Sequence, residues 1–283
     1  MSINNTGFRF RVIFESREHY RLMDENKNIF PAEISGSLRN TSELWPAVGD
    51  WVVGQLQPGN WVLIQEVSGR ITTLSRKDPG GIRPQILAAN VDVLFVVTSA
   101  NQELNLNRLD RYVAMALGGG VKPVILVNKI ELAEAPESLL RAVELRFTGI
   151  EVHAVSVHQK LNLEILQNYT GSGVTLALVG SSGVGKSSLA NFLLNSESIA
   201  VSDIRSDDDK GRHTTTHREL HVSEENTFII DTPGLRSLGL TDEVDLELVF
   251  AEQQVTTILN LILLLTEKLL AAVFRWELME RVN

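Results

Sequence analysis

Two rhythms of apolar and polar positions divide the chain. Through residues 1–70 the β-rich runs are short: Phe8 to Phe14, His19 to Met23, Ile29 to Ser37, Asp50 to Gln57 and Trp61 to Val67. Turn signals such as Asp24-Glu25-Asn26 and Pro58-Gly59-Asn60 separate them. Five such strands predict a small β-barrel. Ser68 to Pro84 is polar and carries Asp78-Pro79-Gly80-Gly81, which reads as a linker or a mobile loop, so residues 71–88 are assigned as the join between two domains.

The second rhythm fills residues 89–250. Strand-like Val91 to Thr98, a helix over Leu106 to Leu117 and strand-like Lys122 to Val127 come first. A helix near Glu137 to Phe147, a strand at Glu151 to Val155 and a helix at Leu161 to Gln167 follow. Val174 to Val179 is an apolar, β-branched run, Lys186 to Leu194 has the spacing of a short amphipathic helix, and Glu219 to Val222 and Thr227 to Ile230 look like adjacent strands. Strands alternating with helices predict an α/β domain with a mostly parallel sheet covered on both faces.

Between one of those strands and its helix stands Gly180-Ser181-Ser182-Gly183-Val184-Gly185-Lys186-Ser187, a full match to the phosphate-binding loop pattern. Glycines let successive backbone N–H groups turn inward around an anion, where a Cβ would block the turn or the approach of phosphate. The following helix contributes its dipole and unpaired N–H groups. Lys186 can reach β- and γ-phosphates as a point charge, and the Ser187 hydroxyl is placed to ligate magnesium. The alternative is a glycine-rich turn with no ligand.

Charge and composition narrow the picture. The chain has 283 residues, 26 basic and 35 acidic, a net charge of −9, so no global attraction to nucleic acid is expected and DNA is not a predicted partner. There is no cysteine, which excludes disulfides and thiolate metal sites and fits a reducing compartment. The start, MSINNTGFRFRVIF, lacks the features of a signal peptide, so a cytoplasmic, membrane-free protein is expected, as a monomer. An oligonucleotide-binding barrel is one candidate for residues 1–70. Arg9, Arg11, Arg21, Arg39, Trp51 and Trp61 are its candidate RNA contacts, the alternative being core tryptophans and a solvated arginine face.

Two further motifs join the phosphate loop. Asn128-Lys129-Ile130-Glu131 ends one strand, and Asp231-Thr232-Pro233-Gly234 ends another. An apolar strand would deliver Asp231 as a magnesium carboxylate beside the loop lysine, and Gly234 can turn its N–H toward a γ-phosphate. Alone, this last motif is equally a Pro-Gly turn capped by aspartate.

Together the three resemble the guanine-reading, phosphate-binding and magnesium motifs of GTPases, with the guanine motif first in the chain. That order marks circularly permuted GTPases. With a barrel ahead and Gly211-Arg212-His213-Thr214-Thr215-Thr216 between the last two motifs, residues 1–250 resemble the ribosome small-subunit-dependent GTPase A family. The resemblance implies an oligonucleotide-binding barrel, a circularly permuted P-loop GTPase domain and a C-terminal zinc domain. It also implies GTP and GDP with magnesium as ligands, and the small ribosomal subunit with its rRNA as partners during late subunit maturation.

Residue by residue, the resemblance implies nucleotide contacts from Gly180, Ser181, Ser182, Gly183, Val184, Gly185, Lys186, Ser187 and Ser188, with Asp231 and Gly234 sensing the γ-phosphate. Asn128 and Lys129 would contact guanine, backed by Ser156 and Val157. Glu131 stands where the family usually has aspartate, and offers the same carboxylate on a stem longer by one methylene. Thr215 would be the switch threonine, and Ser187, Thr215 and Asp231 would hold magnesium. Residues 251–283 carry neither cysteine nor histidine, so no zinc is expected, and an atypical helical tail is assigned there, the alternative being a truncated or frameshifted terminus.

Catalysis needs a group to orient water. Leu235 follows Gly234, where many GTPases carry a glutamine, so His213 is the candidate, its alternative being an exposed loop histidine. A non-enzymatic RNA-binding module with vestigial nucleotide binding, or an ATPase of the same loop class, are the competing readings.

Overall fold

The computed structural model describes residues 7–16, 19–41, 44–76, 85–101, 104–196 and 218–231. The chain divides into two compact units, residues 1–242 and 243–283, and all described residues lie in the first. The tail assigned to residues 251–283 lies outside them.

The first five strands are β1 (Phe8–Ser16), β2 (His19–Met23), β3 (Ile29–Ile34), β4 (Trp51–Gln57) and β5 (Trp61–Val67). They run in the order β1-β2-β3-β5-β4, and β4 returns to pair with β1, so the five close into a barrel. Closure leaves no bare edge, and period-two alternation turns Phe10, Val12, Leu22, Ile34, Val52, Val62 and Ile64 inward as its core. The run read as a strand to Ser37 ends earlier, because the Ser35 hydroxyl accepts the Leu38 N–H at 3.2 Å and caps a short helix, α1 (Gly36–Thr41).

The segment expected to be a linker is in part a hairpin. β6 (Thr73–Arg76) pairs antiparallel with β7 (Gln85–Ala89), and Leu74, Leu87, Ala88 and Ala89 are fully buried. The polar residues between these strands hid the pairing from a reading by local composition.

The α/β region continues with β8 (Val93–Ser99), α2 (Leu106–Gly118), β9 (Lys122–Asn128), α3 (Pro136–Arg146) and β10 (Glu151–Ala154). β11 (Thr175–Val179), α4 (Lys186–Leu194), β12 (Arg218–Val222) and β13 (Phe228–Asp231) complete it. The helix expected from Leu161 is a 3-10 helix over Leu163–Tyr169; Asn162, at φ 55°, breaks the run before it. β10, β9, β8, β11 and β13 are parallel in that spatial order, and β12 joins the far edge antiparallel. Every residue of β8 and β11 is buried, as expected of strands covered on both faces. Leu189, Ala190 and Leu194 of α4 join one face of the core with Phe95, Leu126, Leu176 and Ile229, while α2 packs on β6, β8 and β9.

Barrel and α/β sheet are one continuous sheet, because β12 pairs with β1. Side chains reinforce the seam. Arg21 meets Glu219 at 2.6 Å, and Arg218 meets Glu15 at 3.2 Å. Arg11 is 4% exposed and donates to the Thr175 hydroxyl at 2.9 Å, with the Trp51 and Phe228 rings 5.0 and 5.2 Å away. Burial pushes its guanidinium down to about 10 against the pull of Asp92 and Asp50. Arg11 is therefore a seam residue and is withdrawn from the candidate RNA face. Arg9 stays outside, 4.2 Å over the half-buried Trp51 ring.

Candidate nucleotide site

β11 runs straight into the loop at 180–185, and α4 leaves it at Lys186. The loop's glycines are used in different ways. Gly180 has φ +150°, and a Cβ there would come within 2.1 Å of the Val97 carbonyl oxygen, so the loop starts pressed against β8. Gly183 has φ +77° with open space beside it. Gly185 has φ +98°, and a Cβ there would lie 2.2 Å from Asn128 Nδ2. Lys186 folds back into this curve and is only 7% exposed; its Nζ donates to the Gly180 carbonyl at 2.8 Å and to the Ser181 carbonyl at 2.5 Å. A cation thus sits within a ring of backbone that opens at the head of a helix, an arrangement suited to an anion.

Asn128 ends β9 and is buried. Its Nδ2 donates to the Val184 carbonyl at 2.8 Å, and its Oδ1 accepts the Val157 N–H at 3.3 Å. One amide therefore ties the phosphate loop to the turn after β10. Lys129 takes a left-handed conformation, φ 58°, and donates from Nζ to the Gly183 carbonyl at 2.7 Å. Ser156 is fully buried; its hydroxyl accepts the Gln159 N–H at 3.0 Å and so shapes the turn that presents Val157.

Glu131 lies in the single 3-10 turn Ile130–Leu132 that follows Lys129. Its Oε2 is buried and has no hydrogen-bond partner among the described residues. Leaving such an acceptor unpaired costs about 1–3 kcal/mol or more, so a ligand that donates to it recovers that energy on binding. The orphaned acceptor and the glycine cradle are the two features that fit a base and a phosphate chain respectively.

Parallel pairing sets Asp231 at the end of β13 beside Leu178 of β11, one residue short of that strand's end. Ser187 and Ser188 occupy the first turn of α4 and are half-buried; Ser182 is exposed at the crest of the loop. His213, Thr215 and Gly234 lie outside the described residues. Asn128, Lys129, Val157 and the loop from Gly180 to Lys186 are brought together. One neighbour was missed: Arg108 of α2 donates from a terminal guanidinium nitrogen to the Ser181 hydroxyl. The signal for it was a basic residue in the first turn of a helix, where the dipole disfavours positive charge.

The parallel sheet carries the Asn128-Lys129 pair at the end of a strand that comes before the phosphate-type loop in the chain, the motif order of a circularly permuted P-loop domain. Residues 67–241 match the family model described as RsgA GTPase, and the chain belongs to that family. It is 42% identical over 227 residues to the small ribosomal subunit biogenesis GTPase RsgA of Methanosarcina acetivorans, covering 79% of this chain and 61% of that protein. The chain thus spans about three fifths of that relative's length. Among solved structures, YjeQ from Thermotoga maritima aligns with TM-score 0.63 at 24% identity, over 82% of this chain and 77% of that one. YloQ, a circularly permuted GTPase, aligns with TM-score 0.58 at 23% identity, over 85% and 77%. These two likenesses speak for the fold.

Proposed function

We propose that this chain binds guanine nucleotide, hydrolyses GTP to GDP and phosphate, and acts in the cytoplasm on the small ribosomal subunit during its maturation. The observation that carries the reading is Asn128, whose buried amide joins the phosphate loop to the Val157 turn and so fixes a base-reading strand end to a phosphate cradle. The relative's name, small ribosomal subunit biogenesis GTPase, supports the cellular role.

In this reading the base lies between Lys129 and the turn at Ser156 and Val157, with Glu131 Oε2 accepting its N–H groups. Backbone N–H groups of residues 181–188 and the Lys186 ammonium receive the phosphates. Magnesium, when bound, supplies charge neutralisation on the β- and γ-oxygens, and Ser187, Thr215 and Asp231 are its proposed ligands. His213 holds the attacking water in line, Thr215 and Gly234 contact the γ-phosphate, and turnover stays slow until subunit binding completes the catalytic geometry. Arg9, Arg39, Trp51 and Trp61 are the proposed rRNA contacts of the barrel.

The test is hydrolysis rate against small-subunit concentration for the unaltered chain and for His213→Ala. A plateau lowered on the order of a hundredfold, with GTP and GDP affinity unchanged, is expected of a lost water-positioning group. An unchanged plateau with a shifted midpoint assigns His213 to subunit binding instead. Absence of any subunit stimulation in the unaltered chain removes the ribosomal role.

A further inference from the structure

Arg108 belongs to none of the motifs that define the nucleotide site, yet the fold brings it to the start of the phosphate loop. β8 and β11 are parallel neighbours, with Val96 beside Val179, so the helix that follows β8 and the loop that follows β11 emerge at the same end of the sheet. That helix is α2. Asn105 caps it, its side chain accepting the Arg108 N–H at 3.1 Å, and Leu109, Tyr112 and Val113 anchor it in the core. The first turn is held at both levels, so the half-buried Arg108 side chain leaves from a fixed point.

We propose that Arg108 is a positioning residue of the phosphate loop, holding the Ser181 peptide so that the loop's N–H groups and Lys186 face the phosphates of a bound nucleotide. Ser181 is gripped on two sides: its hydroxyl accepts from Arg108, and its carbonyl accepts from Lys186 Nζ. The residue before it, Gly180, is pressed against Val97. Rotation about the Ser181–Ser182 segment would swing the next N–H groups out of the cradle, and the hydroxyl contact opposes that rotation. A planar guanidinium with fixed donors sets a direction, whereas an ammonium on a flexible stem would not. Placing a cation in the first helical turn works against the helix dipole, so this arginine is poorly placed for helix stability and well placed for the loop. An anion bound in the loop would gain further from the same positive charge.

The inference rests on the nucleotide-binding reading and is tested in a way that separates the two. Equilibrium titration of the full chain with a fluorescent GDP is repeated for Arg108→Ala, Arg108→Lys, Ser181→Ala, the double variant Arg108→Ala/Ser181→Ala, and Lys186→Ala. Arg108→Ala is expected to weaken GDP about tenfold, the scale of one hydrogen bond to a charged group. Arg108→Lys should recover only part of that. The double variant should bind no worse than Arg108→Ala alone, because both changes remove one contact. Unchanged GDP affinity in Arg108→Ala with a lowered melting temperature makes the residue merely structural and overturns the inference. Losses that add fully in the double variant overturn it too, since the arginine would then act without Ser181. If Arg108→Ala fails to fold, Ser181→Ala and Arg108→Lys carry the same comparison. Unchanged affinity in Lys186→Ala, or no GDP binding by the unaltered chain, defeats the nucleotide reading itself, whereas loss in Lys186→Ala with none in Arg108→Ala defeats only the role of Arg108.

Discussion

A single methyl group added at Gly185 should disable the junction between the end of β9 and the loop at 180–185. The new Cβ would stand 2.2 Å from Asn128 Nδ2, far inside contact distance, and the backbone there has φ +98°. Holding an L-residue in that left-handed region costs about 1–2 kcal/mol. Asn128 would also have to retreat, giving up its 2.8 Å bond to the Val184 carbonyl and its 3.3 Å bond from Val157 N–H. Breaking buried hydrogen bonds of this kind costs about 1–3 kcal/mol for the groups left unpaired. Gly185→Ala should therefore lose about 2–5 kcal/mol of unfolding free energy in the absence of nucleotide. Gly183→Ala supplies the comparison, because its φ is +77° but a Cβ there meets nothing within 4 Å, leaving only the conformational cost of about 1–2 kcal/mol. Denaturant unfolding of both variants measures the difference. Equal destabilisation by the two, or none by Gly185→Ala, would refute the junction.

Two more outcomes follow from the seam and from the sheet edge. Arg11→Met should destabilise the first unit by roughly 1.5–3 kcal/mol, since it removes a buried charged hydrogen bond to Thr175 but keeps much of the stem's packing between Trp51 and Phe228. Loss of RNA affinity with no loss of stability would return Arg11 to the binding face. His153 donates or accepts at the Tyr169 hydroxyl, 2.6 Å away, and burial holds its pKa below the ordinary histidine value despite Glu151. An unfolded histidine therefore takes up its proton first as the pH falls, so stability is present above the ordinary value and declines below it. His153→Gln should flatten the fall in melting temperature between about pH 7 and pH 5. A decline as steep in the variant as in the unaltered chain would show that other groups set it.

Local chemistry was legible wherever it determined local structure. The apolar run of Thr175–Val179, the glycines and the spacing of Lys186–Leu194 were readable because strand, turn and helix each follow from nearby residues. The five barrel strands were readable from alternation and turn residues for the same reason. What escaped depends on partners far away in the chain. Arg11 looked like a surface arginine because Thr175, which accepts its hydrogen bond, lies 164 residues on. Leu74 and Leu87 sat in or beside a polar stretch, and only their pairing and burial mark them as structure. Ser35 hid a helix start inside what alternation read as a strand. For Glu131 the sequence supplied the carboxylate and its longer stem; the orphaned oxygen could be found only once the burial around it was known.

The central claim is that Asn128, Lys129 and Glu131 read a guanine whose phosphates lie in the loop at 180–188. The most direct measurement is competition of a fluorescent GDP, bound to the full chain, by unlabelled GTP, GDP and ATP, for the unaltered protein and for Glu131→Gln. GTP and GDP should displace the probe at far lower concentrations than ATP, because the N1–H and 2-amino donors of guanine that would meet the buried carboxylate oxygen are replaced in adenine by a bare ring nitrogen and a C–H. Glu131→Gln, which puts a donor in place of an acceptor, should erase most of that preference while leaving the phosphate cradle intact. Displacement by ATP at the same concentration as GTP in the unaltered chain would contradict the claim and make the protein a nucleotide binder that does not read its base.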